Sequence, residues 1–155
     1  MKVYKFGGTS VGTVERMKHV AELISESAPK IVVLSATAGT TNHLEEIAAN
    51  LFSRDIEQAH EKITRLEFQF IDFANELLTD ESIKREAIDY ILDRFQRLWQ
   101  FINDEFTSVE EKEVLAQGEL ISTALLHFYL RERKIANILL SAFDFMRTGT
   151  EGAVS

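Results

Sequence analysis

A glycine pair, Gly7-Gly8, follows directly on a short alternating apolar segment, Met1 to Phe6, and a helical pattern opens a few residues later at Thr13-Val14-Glu15-Arg16. A strand, a glycine turn and a helix in that order restrict the chain to a βα start. Without a Cβ at either glycine, the backbone can come close to a ligand. The following helix N-terminus offers unpaired N–H groups and the positive end of a dipole, which together suit an anion. Lys5, two residues before Gly7, adds a point charge suited to a phosphoryl group. The same residues also serve an ordinary βα turn, because a lone Gly-Gly is a weak motif.

Residues 1–42 read as β-α-β: a strand over 2–6, a helix near 13–27, then the run Lys30-Ile31-Val32-Val33-Leu34-Ser35. That run is continuously apolar, as expected of a strand covered on both faces. Pro29, the single proline, blocks continuation of the helix before it. Two strands joined by a crossover helix pair in parallel, with a right-handed connection. A ligand then belongs beyond the strand C-termini, where Gly7-Gly8 and the segment after Leu34 both emerge.

The middle of the chain has a helical period. Ile56, Ala59, Ile63, Leu66, Phe70, Phe73 and Leu77 alternate at three and four residues, as do Ile88, Ile91, Phe95, Leu98 and Ile102 beyond Thr79-Asp80-Glu81-Ser82. Two such stripes joined by a short polar turn predict an antiparallel helical hairpin. Ser108-Val109-Glu110-Glu111 has the form of a capping box that opens a further helix toward Arg133. Phe68, Phe70, Phe73, Phe95, Trp99, Phe101 and Phe106 have no interleaved basic residues, so they are read as core. Ala136 to Ser141 is a short apolar run expected to rejoin the sheet as a third strand, and the small-residue tail after it carries no terminating element. A sheet of about three strands is small, which points to a truncated chain.

Composition narrows the function. The 155 residues suffice for one domain with a real core, and no cysteine is present for a disulfide or a thiolate metal site. The net charge of −8 argues against a broad nucleic-acid face, and no apolar run approaches the length of a membrane span. His19, His43, His60 and His127 show no metal-ligand spacing, so no metal site is assigned. A cytoplasmic protein is the expectation.

Three segments carry a family likeness. Lys5-Phe6-Gly7-Gly8-Thr9-Ser10, Leu34-Ser35-Ala36-Thr37-Ala38-Gly39-Thr40-Thr41-Asn42 and Gln117-Gly118-Glu119 resemble the successive signatures of the aspartokinases, in the amino-acid kinase family. The likeness runs from Lys5 to Ala142-Phe143-Asp144, and the long helical excursion between the second and third motifs also resembles that family. It implies an α/β fold: a partial amino-acid kinase-like sandwich, with a short parallel sheet flanked by helices and a helical-hairpin insert at about 55–106. Residues 1–155 then correspond to the N-terminal, amino-acid-binding part of a catalytic domain, with most of the ATP lobe and the regulatory domains absent.

The implied reaction is phosphoryl transfer from MgATP to the β-carboxylate of L-aspartate, giving 4-phospho-L-aspartate at the entry to lysine, threonine and methionine synthesis. ATP and Mg²⁺ are the implied cofactors of the parent enzyme, and this chain alone is expected to be inactive. Lys5 is the implied catalytic charge. Lys5, Gly7, Gly8, Thr9 and Ser10 line the phosphate path as a backbone nest, while Thr41 and Glu119 meet the substrate. Thr40-Thr41-Asn42 also reads as an N-cap for a helix beginning near Leu44. Glu119, set among Leu115, Leu120, Ile121 and Leu125, is expected to be a buried carboxylate needing a cationic partner such as an α-ammonium. Ser35, Thr40, Asp144 and Arg147 are secondary candidates. Ala36-Thr37-Ala38-Gly39 departs from the Met- and Ser-containing form common in the family, but its residues stay small.

Two other readings stay open. One is a relative acting on glutamate, carbamate or a nucleoside monophosphate. The other is a non-catalytic interaction module built on the hairpin, for which an exposed apolar stripe would be the sign. An uncovered sheet edge would be a ready site for self-pairing, which leaves a homodimer open.

Overall fold

The computed structural model describes residues 1–141. Strand β1 (Lys2–Phe6) leads through a 3-10 turn (Gly8–Val11) into helix α1 (Val14–Leu23), and strand β2 (Lys30–Leu34) follows. Helices α2 (Thr40–Phe52), α3 (Ile56–Leu77), α4 (Glu81–Phe101) and α5 (Ser108–Glu132) complete it. The strands pair in parallel, from Lys2 beside Lys30 to Phe6 beside Leu34, so both C-terminal ends open on one edge.

The sheet has two strands among the described residues, not three. Ala136–Leu140 forms no ladder there. It is tied to α5 instead, through Ile135 N–H to the Leu130 carbonyl at 2.9 Å and the His127–Asn137 side-chain pair. Among the described residues β2 is also not covered on both faces: Ile31 and Val33 are 47% and 43% exposed, whereas Leu34 is buried. Strand residues alternate sides, and the helices meet only the side that carries Val32 and Leu34.

α1 stops at Leu23, short of the expected 27. Lys30 Nζ reaches back to the carbonyls of Ile24 (3.0 Å) and Glu26 (2.8 Å), putting a cation where the helix end is negative. α2 begins at Thr40 rather than near Leu44, because Gly39 takes φ +84° and turns the chain there. The capping box of α5 is Thr107 with Glu110, one residue before the expected pair. Both T-x-x-E and S-x-x-E are present, and the earlier one is used.

The hairpin is observed as α3 and α4. Trp99 lies 4.9 Å from His60 and Phe95 6.1 Å from Phe70, so the later residue of α4 meets the earlier one of α3 and the pair is antiparallel. α5 then runs back along α4, with Arg97 on Glu113 and Arg131 on Glu86. Ala59, Ile63, Leu66, Phe70, Ala74 and Leu77 of α3 are buried with Ile91, Phe95 and Leu98 of α4 in one core that α2 and α5 share. The stripe is therefore covered, which removes the support an interaction module would need. Phe68 departs from the core reading: it is 61% exposed, on the outer side of α3.

Candidate functional site

The turns after β1 and β2 meet on the edge where both strands end. Phe6 accepts from the Ser35 N–H at 3.0 Å, which carries the ladder one step past β2, and Gly8 accepts from the Ala38 N–H at 3.1 Å. Gly8 is pressed so closely on this second turn that a Cβ there would lie 2.6 Å from the Ala36 carbonyl oxygen. Ser10 N–H closes the 3-10 turn onto the Gly7 carbonyl, leaving the Gly8 and Thr9 N–H groups without a partner inside that turn. α1 supplies less of the anion site than the sequence suggests. The 3-10 turn, which begins at Gly8 itself, sets α1 back from the glycine pair, and Thr13 caps the helix by accepting from Arg16 N–H at 3.1 Å. Arg16 contributes differently, donating from Nη1 to the Thr9 carbonyl at 2.9 Å and pinning the turn from behind.

Lys5 is exposed near the end of β1, and its side chain makes no hydrogen bond or ion pair among the described residues. It shares the open face of the sheet with Val3, Ile31 and Val33.

The second turn is internally locked. Thr37 and Thr40 are both buried, and their hydroxyls share a hydrogen bond of 2.6 Å. Thr40 thus holds the turn together, while Thr41 stands exposed in the first turn of α2. Ser35 is half-buried, its carbonyl accepting from Ser122 Oγ at 2.7 Å.

The third motif reaches the same place from α5. A Cβ on Gly118 would lie 2.8 Å from the Ala36 methyl and 3.2 Å from Thr40 Cγ2, so only glycine lets the helix come this near. Glu119 is exposed rather than buried. One residue on is a rotation of about 100° round the helix; with Gly118 against the turn, Glu119 swings out of the apolar face. Its carboxylate therefore needs no buried counter-ion.

The structure thus gathers the Gly7–Ser10 turn, the Ser35–Thr41 segment and the Gly118–Glu119 step into one contact cluster. Asp144 and Arg147 lie outside the described residues. Arg16 and Ser122 have supporting roles that no motif marks, although Ser122 sits one turn after Glu119 on the same helix; Thr37 lies inside the second motif but is not among the site residues expected from it. Gln117 is buried as well; its Nε2 donates to the Glu113 carbonyl at 3.0 Å. Two open clefts lie elsewhere, one at the end of α5 lined by His127, Arg131 and Lys134, the other at the strand N-termini. No group of three His, Asp or Glu side chains among the described residues is placed to hold a metal ion, and none of the helices there is long and apolar enough to cross a membrane.

The family model described as the amino acid kinase family matches residues 1–155. The chain is 32% identical over 159 residues to the aspartokinase of Chlamydia trachomatis, covering 94% of this chain and 33% of the relative. It is 31% identical to lysine-sensitive aspartokinase 3 of Escherichia coli, covering 94% and 32%. Among solved structures, E. coli aspartokinase III in complex with lysine and aspartate superposes with a TM-score of 0.81 at 27% identity, over 100% of this chain and 34% of that one. The same enzyme with aspartate and ADP gives 0.74, over 97% and 33%. The chain spans about a third of the length of the curated relatives it matches.

Proposed function

The chain belongs to the amino acid kinase family, and we propose that it forms the amino-acid-binding front of an aspartokinase, which phosphorylates the β-carboxylate of L-aspartate. One observation carries this reading: the close approaches of Gly8 and Gly118 to Ala36 draw all three signature segments to a single edge of the sheet. Residues 1–155 are the N-terminal part of the catalytic domain, and α3 and α4 are its helical insert.

Phosphoryl transfer to a carboxylate asks a protein mainly for positioning and charge stabilisation. Lys5 is free to neutralise charge on the moving group, and the Gly8 and Thr9 N–H groups give a nest for phosphate oxygens. Ser10 and Gly7 shape that nest. Thr41 binds the substrate, and exposed Glu119 answers its α-ammonium. MgATP, when bound, would supply the phosphoryl group, with Lys5 and the Gly8 and Thr9 N–H groups placed to hold its phosphates. The reaction belongs to the cytoplasm, at the head of lysine, threonine and methionine synthesis.

A hydroxylamine trap tests the reading. The complete polypeptide to which these residues belong, given MgATP, is expected to form aspartyl hydroxamate from L-aspartate and none from L-glutamate. Residues 1–155 alone are expected to form neither. No product from the complete polypeptide with either amino acid overturns the assignment, and glutamyl hydroxamate moves it to a sister activity.

A further inference from the structure

Ser122 is fully buried in α5, and its hydroxyl makes the shorter of its two hydrogen bonds outside its own helix. Oγ lies 2.7 Å from the carbonyl of Ser35, 87 positions away in sequence, and 3.2 Å from the carbonyl of Glu119. A serine inside a helix ordinarily returns its one hydrogen to the carbonyl a turn back. Here that carbonyl is already served, because Thr123 Oγ1 donates to Glu119 O at 2.7 Å. The Ser122 hydrogen is thereby left for Ser35.

The Ser35 peptide is held on both sides. Its N–H extends the ladder to Phe6, and its carbonyl is gripped by Ser122. From it the chain runs through buried Thr37 and Thr40 to Thr41. On the other side of the bond, Glu119 lies one turn before Ser122 on a rigid helix. The phosphate turn has an anchor of its own in Arg16 on the Thr9 carbonyl, and it touches this segment through Ala38 on the Gly8 carbonyl.

We propose that Ser122 is a positioning residue for the amino-acid substrate: its bond to the Ser35 carbonyl sets the spacing between the turn that carries Thr41 and the helix step that carries Glu119. The inference rests on the aspartokinase reading. It assigns Ser122 to amino-acid recognition rather than to the nucleotide side, because its two hydrogen bonds go to Ser35 and Glu119 and neither reaches the Gly7–Ser10 turn, which Arg16 also holds from α1.

The test compares steady-state constants of the complete polypeptide as wild type, Ser122→Ala, Ser122→Cys and Thr123→Ala. Losing one such bond is expected to raise the KM for L-aspartate about tenfold in Ser122→Ala, with the KM for ATP changed by less than about twofold. Ser122→Cys, with a similar shape and a weaker donor, is expected to fall between. Thr123→Ala frees the Glu119 carbonyl to compete for the Ser122 hydrogen, so it is expected to raise the KM for L-aspartate in the same direction by less than Ser122→Ala does. An unchanged KM for L-aspartate in Ser122→Ala overturns the proposal. So does a parallel loss across both KM values and kcat that tracks a fall in melting temperature. If Ser122→Ala does not fold, the same split in Ser122→Cys decides. A wild type without aspartate-dependent turnover instead defeats the functional reading.

Discussion

Gly118 and Ala36 approach so closely that a Cβ on Gly118 would stand 2.8 Å from the Ala36 methyl. This contact lets α5 carry Glu119 to the turn after β2. Gly118→Ala gains helix propensity but forces helix and turn apart, and overpacking of this kind costs about 1–3 kcal/mol. For a chain of this size, each kcal/mol lowers the melting temperature by roughly 2–4 °C. Adding Ala36→Gly removes the opposing methyl, so the double variant is expected to recover much of the loss. Additive melting temperatures across that cycle would show that the two positions do not oppose each other.

Gly39 is expected to fail for a different reason. No heavy atom lies within 4 Å of a Cβ built there, but its φ is +84°. Gly39→Ala therefore meets no clash and bears only the backbone penalty of the left-handed region, about 1 kcal/mol. Asparagine tolerates that region better than alanine, so Gly39→Asn is expected to lose less. Denaturant midpoints for the two variants check the order.

The local signals were the legible ones. The Gly-Gly turn, the period of α3 and α4 and the run at β2 set their elements without reference to anything distant. Glu119 shows where reading stopped. Its apolar neighbours suggested burial, but the face of α5 that packs is fixed by Gly118 against Ala36, a partner 82 positions earlier (118 − 36). Ala136–Leu140 has strand composition yet forms no strand, because a parallel strand exists only where a neighbour offers its ladder. The open face of β2 is the same lesson: an apolar run records what the strand can be covered by, not what covers it.

Phe68 and Phe70 are two residues apart and are expected to respond oppositely. Phe70 is buried against Phe95, and Phe68 is 61% exposed on the far side of α3. Phe70→Ala opens a cavity in the shared core and is expected to cost about 3–5 kcal/mol. Phe68→Ala is expected to stay within about 0.5 kcal/mol of wild type. Equal losses in chemical denaturation would mean that α3 is rotated from the phase described.

Lys5 separates stability from activity. Its side chain is exposed, with no hydrogen bond or ion pair among the described residues, so Lys5→Ala is expected to leave the melting temperature unchanged. If it stabilises charge on the transferring group, turnover by the complete polypeptide falls by about 10²–10³, the usual effect of removing such a donor. The KM for L-aspartate should move little. A normal kcat in Lys5→Ala would remove the lysine from the chemistry.

Glu110 gives the chain a dependence on acid. Its carboxylate accepts from the Thr107 hydroxyl and, at 2.8 Å, from the Thr107 N–H, closing the cap of α5. The hydroxyl bond first, then bonds to backbone N–H groups, hold its pKa below the ordinary 4.5. Such bonds favour the charged form in the folded state. The folded chain therefore resists protonation of this group more than the unfolded chain does, and where the unfolded state binds more protons stability rises with pH and is lost on acidification. The contribution is complete above the unfolded value of 4.5 and is lost as pH falls through the depressed folded value. Glu110→Gln keeps the shape but cannot titrate. It is expected to melt lower than wild type at neutral pH and to lose less on acidification, so the two curves of melting temperature against pH converge in acid. Parallel curves would mean that this cap does not couple the fold to pH.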